Sequence, residues 1–261
     1  MRKLSILFGL LAAFAVGALA DTDCTTTITG GTINDNLNVP DGATCTLDGV
    51  TVNGNANVGK GSTLNATDGF SISGNLQGQN AASINVQGGN VSGNVQSQGP
   101  ANVNFSAMVI GHDVQIQNAL SFCTQHGPPG PAIFTNIGGN LQIQGTTNTP
   151  PAGIVCGSTG PPPGDGSTAA ANLICGTTVG GDAQIQQNTA PFAIGSFGSS
   201  YCGGSPVTIK GNLQVQQNGT VTIDITSVGH NLECSQNGSV SQLNGAGDDT
   251  VQGKNKCPGI N

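Results

Sequence analysis

One short pattern recurs along most of the chain, and it constrains the fold more than any other feature. The pattern is Val or Ile, any residue, Gly, Asn, and then apolar and polar residues in alternation. Its clearest copies begin at Ile72, Val91, Ile137 and Ile209, and variants begin at Ile33, Val52, Ile110, Val179 and Val228. From Ile33 to Ile110 the starts are 19 or 20 residues apart, and the later gaps are longer. Such a fixed period is typical of a solenoid.

Each repeat has room for three short strands. Between successive copies lies a second alternating segment, as at 62–66 and 82–86, in which small or apolar residues alternate with polar ones. No stretch after residue 20 shows a helical apolar face. A unit of this length with Gly and Asn corners predicts one coil of a β-helix, stacked at ~4.8 Å per layer. We therefore predict an all-β, single-stranded, right-handed parallel β-helix over residues 21–261.

The pattern assigns an inside and an outside to each coil. The first and fifth positions, such as Ile72 and Leu76, are apolar in every copy and are expected in the core. The fourth position is Asn or Asp throughout. We expect it at a corner, because Asn tolerates the left-handed backbone conformation and can stack its amide in a hydrogen-bonded ladder.

The sixth and eighth positions form a stripe of paired glutamines that should point outward. We take one column of this stripe as the candidate binding face: Gln77, Gln96, Gln115, Gln142, Gln184 and Gln214. The stripe admits two interpretations. Its amides can form ladders on a neutral surface, or they can present a flat face to a glycan or to another copy of the chain.

The N-terminal residues 1–20 have the form of a secretory signal peptide. Arg2 and Lys3 precede an apolar run, and Ala18 and Ala20 fit a small-residue cleavage site before Asp21. No later segment is apolar enough to span a membrane. We expect a secreted, extracellular or cell-surface protein, or a periplasmic one in a Gram-negative host.

All eight cysteines follow the predicted signal peptide, and an even number in an exported chain favours disulfides. Spacing of about one coil pairs Cys24 with Cys45 and Cys234 with Cys257, which would close the two ends. For the central four we favour Cys123 with Cys156 and Cys175 with Cys202, and a Cys156–Cys175 bridge stays open. Proline-rich loops interrupt the repeat at about 119–136 and 145–175.

The sequence offers no clear catalytic or metal-binding constellation. His112 and His230 share the third position but lie about four layers apart, His126 lies in a proline-rich loop, and no carboxylate pair stands out. A single calcium-type nonapeptide at 244–252 lacks the neighbouring copies that such sites need. Lys and Arg number only six, which argues against a nucleic-acid partner. We expect no catalytic residues, cofactor or metal.

The Gly-Asn-Leu-Gln-Ile/Val-Gln repeats resemble a group of exported, uncharacterised bacterial β-solenoid proteins. The segments 41–47 and 229–234, together with Lys256 and Cys257, contribute to this resemblance. It implies the fold and brings no catalytic residues. A weaker similarity is to the bactofilins, which are cytoplasmic β-helical filament formers without a signal peptide.

Two functional hypotheses follow. The first is an exported, non-enzymatic β-solenoid with a structural, adhesive or cell-surface role that contacts glycan or associates with itself. The alternative is a carbohydrate-binding or polysaccharide-active β-helix protein whose site lies near the proline-rich loops.

Overall fold

A computed structural model describes residues 21–125, 134–147, 172–195, 206–224, 226–242, 249–258 and 260. Every regular element in these ranges is a β-strand, and the strands form three sheets in which all pairings are parallel. The chain visits the sheets in turn, so each circuit adds one strand to each sheet. The predicted parallel β-solenoid with about 19 residues per coil is confirmed.

The first sheet contains eleven strands and is called sheet 1 here. Its strands are β1 (Thr22–Asp23), β4 (Leu37–Val39), β7 (Ala56–Val58), β10 (Leu76–Gln79), β13 (Val95–Gln98), β16 (Val114–Gln117), β19 (Leu141–Gln144), β22 (Ala183–Gln186), β25 (Leu213–Gln216), β28 (Leu232–Ser235) and β31 (Asn255–Lys256).

Sheets 2 and 3 contain ten strands each. Sheet 2 consists of β2 (Thr27–Thr29), β5 (Thr44–Asp48), β8 (Thr63–Thr67), β11 (Ser83–Gln87), β14 (Asn102–Ser106), β17 (Ser121–Gln125), β20 (Asn172–Ile174), β23 (Phe192–Gly195), β26 (Thr220–Asp224) and β29 (Ser239–Gln242). Sheet 3 consists of β3 (Thr32–Ile33), β6 (Thr51–Val52), β9 (Ser71–Ile72), β12 (Asn90–Val91), β15 (Val109–Ile110), β18 (Thr135–Ile137), β21 (Thr177–Val179), β24 (Val207–Ile209), β27 (Thr226–Val228) and β30 (Thr250–Val251).

Residues one period apart in the sequence are neighbours across each sheet. Ile72 pairs with Val91 and Val91 with Ile110 in sheet 3, and these side chains are buried. The fifth-position Leu76 is likewise buried in sheet 1 and pairs with Val95. Both predicted core columns are therefore confirmed. Only the first-position residues at the two ends, Ile33 and Val251, are partly exposed.

The longer intervals between repeat starts after Ile110 do not change the register of the strands in each sheet. Cys123 in β17 pairs with Leu173 in β20, although 50 residues separate them. In sheet 1, Leu141 pairs with Val114 before it and Ala183 after it. The strand β17 runs to Gln125, and the proline-rich segments 126–133 and 148–171 lie outside the described residues, as do residues 1–20.

The fourth-position residues form an unbroken ladder along one corner. From Asn36 to Asn231, the side-chain Oδ1 of each accepts the backbone N–H of its counterpart one coil later, at 2.7–3.2 Å, and the ladder ends at the N–H of Lys254. The ladder is confirmed, but the left-handed backbone expected at this corner is wrong. Non-glycine residues with positive φ lie elsewhere, as at Asn80, Asn118 and Gln217.

The ladder explains why glycine precedes the asparagine. A Cβ added to Gly54 or Gly74 would lie 2.5 Å from the Oδ1 of the ladder residue one coil below, Asn36 or Asn55. Where His112 and His230 replace this glycine, the preceding residue is itself glycine. The backbone N–H bonds to Oδ1 in those two coils, at 3.1 and 3.2 Å, are the longest in the ladder.

Disulfides close both ends of the described stack. Cys24 bonds to Cys45 and Cys234 bonds to Cys257, as the spacing predicted. Cys123 and Cys175 are also disulfide-bonded, while Cys156 and Cys202 lie outside the described residues. The covalent ends hold the terminal coils, which have neighbours on one side only.

Candidate binding surface

The glutamine stripe becomes two straight columns on the outer face of sheet 1. The register joins the candidate face in one row, Gln77, Gln96, Gln115, Gln142, Gln184 and Gln214. A second row holds Gln79, Gln98, Gln117, Gln144, Gln186 and Gln216. The structure thus brings all the predicted residues together on one face of six consecutive strands.

The first row continues beyond the glutamines in both directions. Toward the N-terminus it passes through Asn57 and Asn38 to Asp23, and Asn38 donates its amide to Asp23 at 2.7 Å. Toward the C-terminus it ends at Glu233 and Lys256, whose ion pair spans 2.6 Å. Charges therefore stand at the two ends of the row, and neutral amides fill its length.

A third line of glutamines borders the C-terminal half of this face. Gln144 donates to Gln187 at 2.6 Å, Gln187 to Gln217 at 3.0 Å, and Gln217 to Gln236 at 2.8 Å. The last three have φ between 55° and 57°, the left-handed corner that ends each strand of sheet 1 there. These residues were not among the predicted site residues, although Gln187 and Gln217 directly follow the repeated Gln-x-Gln motif, which is a signal for them in the sequence.

The N-terminal half of the face lacks this border. The equivalent corner positions hold Asn80, Gly99, Asn118 and Gly145. Within the described part of the chain, the side-chain amides of Gln77, Gln79, Gln96 and Gln98 make no hydrogen bond to another protein group. These amides retain both their donors and their acceptors for solvent or a ligand.

A shallow depression of about 490 Å³ lies over this N-terminal half. Its lining is Asn38, Asn57, Val58, Gly59, Gln77, Gly78, Gln79, Gln96, Ser97, Gln98, Gln115 and Gln117. Gly78 and Ser97 occupy the inward position that Ile116, Ile143 and Ile185 occupy in later coils. A Cβ on Gly78 would lie 2.6 Å from Cδ1 of Ile84 and 2.7 Å from Oγ of Ser97, so these two side chains already fill the space inside Gly78.

A second ladder of amides lies inside the solenoid. The backbone N–H of Thr146 donates to Asn188 at 2.8 Å, that of Asn188 to Asn218 at 3.0 Å, and that of Asn218 to Asn237 at 3.0 Å. Asn188 is fully buried and Asn218 is 4% exposed. In the sequence, Asn218 and Asn237 begin Asn-x-Thr and Asn-x-Ser glycosylation sequons and Asn188 resembles a turn residue, so their structural role could not be predicted.

The described ranges contain no group of three or more His, Cys, Asp or Glu side chains that could hold a metal ion. Asp249, from the calcium-type nonapeptide, accepts hydrogen bonds from Thr226 N–H at 2.6 Å and from Gln242 at 2.8 Å. His126 lies outside the described residues, and His112 and His230 are exposed on coils four layers apart.

No helix within the described ranges is long and apolar enough to cross a membrane.

No family model, curated protein or solved structure matches the chain.

Proposed function

We propose that the chain is an exported, non-enzymatic β-solenoid with a structural or adhesive role, and that the outer face of sheet 1 is its contact surface. The observation that carries this proposal is the register of sheet 1. It aligns twelve glutamine side chains in two rows across six consecutive strands. A row of identical polar groups at a constant ~4.8 Å spacing matches a repetitive partner better than a single small molecule.

The rigidity of the support favours such a role. Each glutamine alternates with a buried residue on the same strand, as Gln142 and Gln144 do with Leu141 and Ile143. The asparagine ladder and the stapled ends fix the coils beneath. The backbone under the face is already ordered, so binding has to order the glutamine side chains only, and many weak contacts can add to useful affinity.

Disulfides support export. Cys24, Cys45, Cys234 and Cys257 form the two described bridges, and such bonds persist in oxidising compartments. A Gln-rich face also suits an extracellular surface, because amides stay neutral over a wide range of pH.

Adhesion of beads coated with the oxidised chain tests the proposal. The detachment force from bacterial cell walls and from a second coated surface is compared between the wild type and two variants. Gln115→Lys with Gln184→Lys adds bulky charges to the proposed face, whereas Thr178→Lys with Thr208→Lys adds the same charges to the outer face of sheet 3.

Loss of adhesion in the sheet 1 variant alone supports the proposal. Equal adhesion by both variants, or no adhesion by the wild type, overturns the assignment of the face. Release of reducing sugar from a polysaccharide by the wild type overturns the non-enzymatic role.

A further inference from the structure

We infer that the depression on the N-terminal half of sheet 1 binds a single extended chain of an uncharged glycan. This inference rests on the proposed function, because it names the partner of the same face. It assigns the contact to Gln77, Gln79, Gln96 and Gln98, with Asn38 and Asn57 extending the site toward the N-terminus.

The shape of the surface selects this half. The depression lies over β10 and β13, where Gly78 and Ser97 line it between the two rows of glutamines. The corner beside it holds Asn80 and Gly99, which project less than the Gln187 and Gln217 of the other half. A chain of linked rings can therefore lie along the rows, in contact with backbone as well as amides.

The hydrogen-bonding capacity of the surface selects a polyhydroxylated ligand. A primary amide donates two hydrogen bonds and accepts others, and a sugar hydroxyl both donates and accepts. The amides of Gln77, Gln79, Gln96 and Gln98 have no protein partner within the described ranges, so a ligand breaks no internal bond when it binds. In the other half the row amides of Gln184 and Gln214 likewise have no protein partner within the described ranges, but the border bonds through Gln187 and Gln217 use part of that half's capacity.

The absence of charge in the lining selects a neutral glycan over an anionic one. The depression is formed by amides, serine, glycine and valine, and none of its lining side chains is charged or aromatic. The first row leads to Asp23, a carboxylate that would repel a uronic-acid polymer lying along the same line. Recognition then depends on hydrogen bonds and shape, without the aromatic stacking that many sugar sites use.

Affinity electrophoresis of the oxidised chain tests the inference. The gels contain soluble neutral polysaccharides (a mixed-linkage β-glucan, a xyloglucan, a galactomannan and a soluble starch) or the anionic polymers alginate and polygalacturonate. The test variant is Gln77→Ala with Gln96→Ala and Gln98→Ala. The matched control is Thr178→Ala with Thr208→Ala and Ser227→Ala, which removes three polar groups from the outer face of sheet 3.

We expect at least one neutral polysaccharide to retard the wild type, the triple variant to bind at least tenfold more weakly, and the control to stay within twofold. Circular dichroism and thermal unfolding establish that each variant keeps the fold. Retardation by anionic polymers alone, by none of the polymers, or equally in the triple variant overturns the inference.

Failure of the glycan inference can be distinguished from failure of the proposed function. If light scattering shows that the chain associates with itself and the triple variant does not, while every gel is negative, the contact face stands and the glycan ligand is wrong. If beads adhere through sheet 1 while every gel is negative, the same conclusion holds. If neither adhesion nor glycan binding occurs, both proposals fail.

Discussion

The asparagine ladder and its glycines should be energetically coupled, and Gly181 offers the cleanest place to measure this. A Cβ on Gly181 would overlap Oδ1 of Asn140, while the nearest backbone atom, the carbonyl carbon of Gly139, lies 3.2 Å away. Alanine at this position must therefore displace the Asn140 side chain. That side chain accepts the N–H of Asp182 at 2.9 Å and donates to Asp113 at 3.0 Å.

The cost follows from these two bonds. A net loss of about 1 kcal/mol per hydrogen bond predicts that Gly181→Ala destabilises the fold by about 2 kcal/mol. Asn140→Ala loses the same bonds and should cost about 1–2 kcal/mol. In the Asn140→Ala background the obstacle is gone, and Gly181→Ala should become neutral or stabilise by up to about 1 kcal/mol, because alanine restricts the unfolded chain.

Equilibrium guanidinium denaturation of the two single variants and the double variant measures this coupling, which we expect to reach about 2 kcal/mol. Ser92→Ala, an exposed change at the second position, serves as the control and should shift stability by no more than about 0.5 kcal/mol. Additive costs for Gly181→Ala and Asn140→Ala would refute the claim that the ladder dictates the glycine.

Three further predictions concern the ends and the interior. Cys257→Ser removes the Cys234–Cys257 disulfide, which closes a loop of 23 residues, and should lower the free energy of unfolding by about 3 kcal/mol. We expect a lower Tm and faster hydrogen exchange confined to the last coil, and unchanged exchange there would contradict the prediction. Asn218→Ala should lower the free energy of unfolding by about 2–4 kcal/mol, because Asn188 and the carbonyl of Ile185 lose their buried hydrogen bonds to the Asn218 side chain. For the same reason, mass spectrometry should find the Asn218 sequon unmodified when the chain is produced in a glycosylating host. Lys256→Ala should change stability by less than about 1 kcal/mol, because its bridge to Glu233 is exposed; a larger shift in the denaturation midpoint would count against that estimate.

The coil, the core columns and the end disulfides could be predicted because a solenoid makes its contacts one period away. The spacing of Ile72, Val91 and Ile110 is therefore also their register, and the spacing of Cys234 and Cys257 is also their proximity. The same logic placed the glutamines of the candidate face in one row.

The features that distinguish one half of the face from the other could not be predicted in this way. The depression lies over strands whose corners hold Asn80 and Gly99 where later coils hold Gln187 and Gln217, a difference that looks like ordinary variation in a repeat. The buried role of Asn218 depends on a corner that turns its side chain inward, and the sequence there reads as a polar turn. The decisive quantity is the size of the corner side chain in the first case and its direction in the second, and the period determines neither.

The most direct test of the contact face is an NMR titration that follows the side-chain amide signals of the glutamines. The chain is labelled with ¹⁵N-glutamine, and the gel-positive neutral polysaccharide is added as a soluble oligosaccharide. If this face binds the glycan, the amide signals of Gln77, Gln79, Gln96 and Gln98 shift and saturate together, while the signals of Gln187 and Gln217 stay in place. Shifts centred on Gln187 and Gln217, or no shift on sheet 1 at saturation, would contradict it.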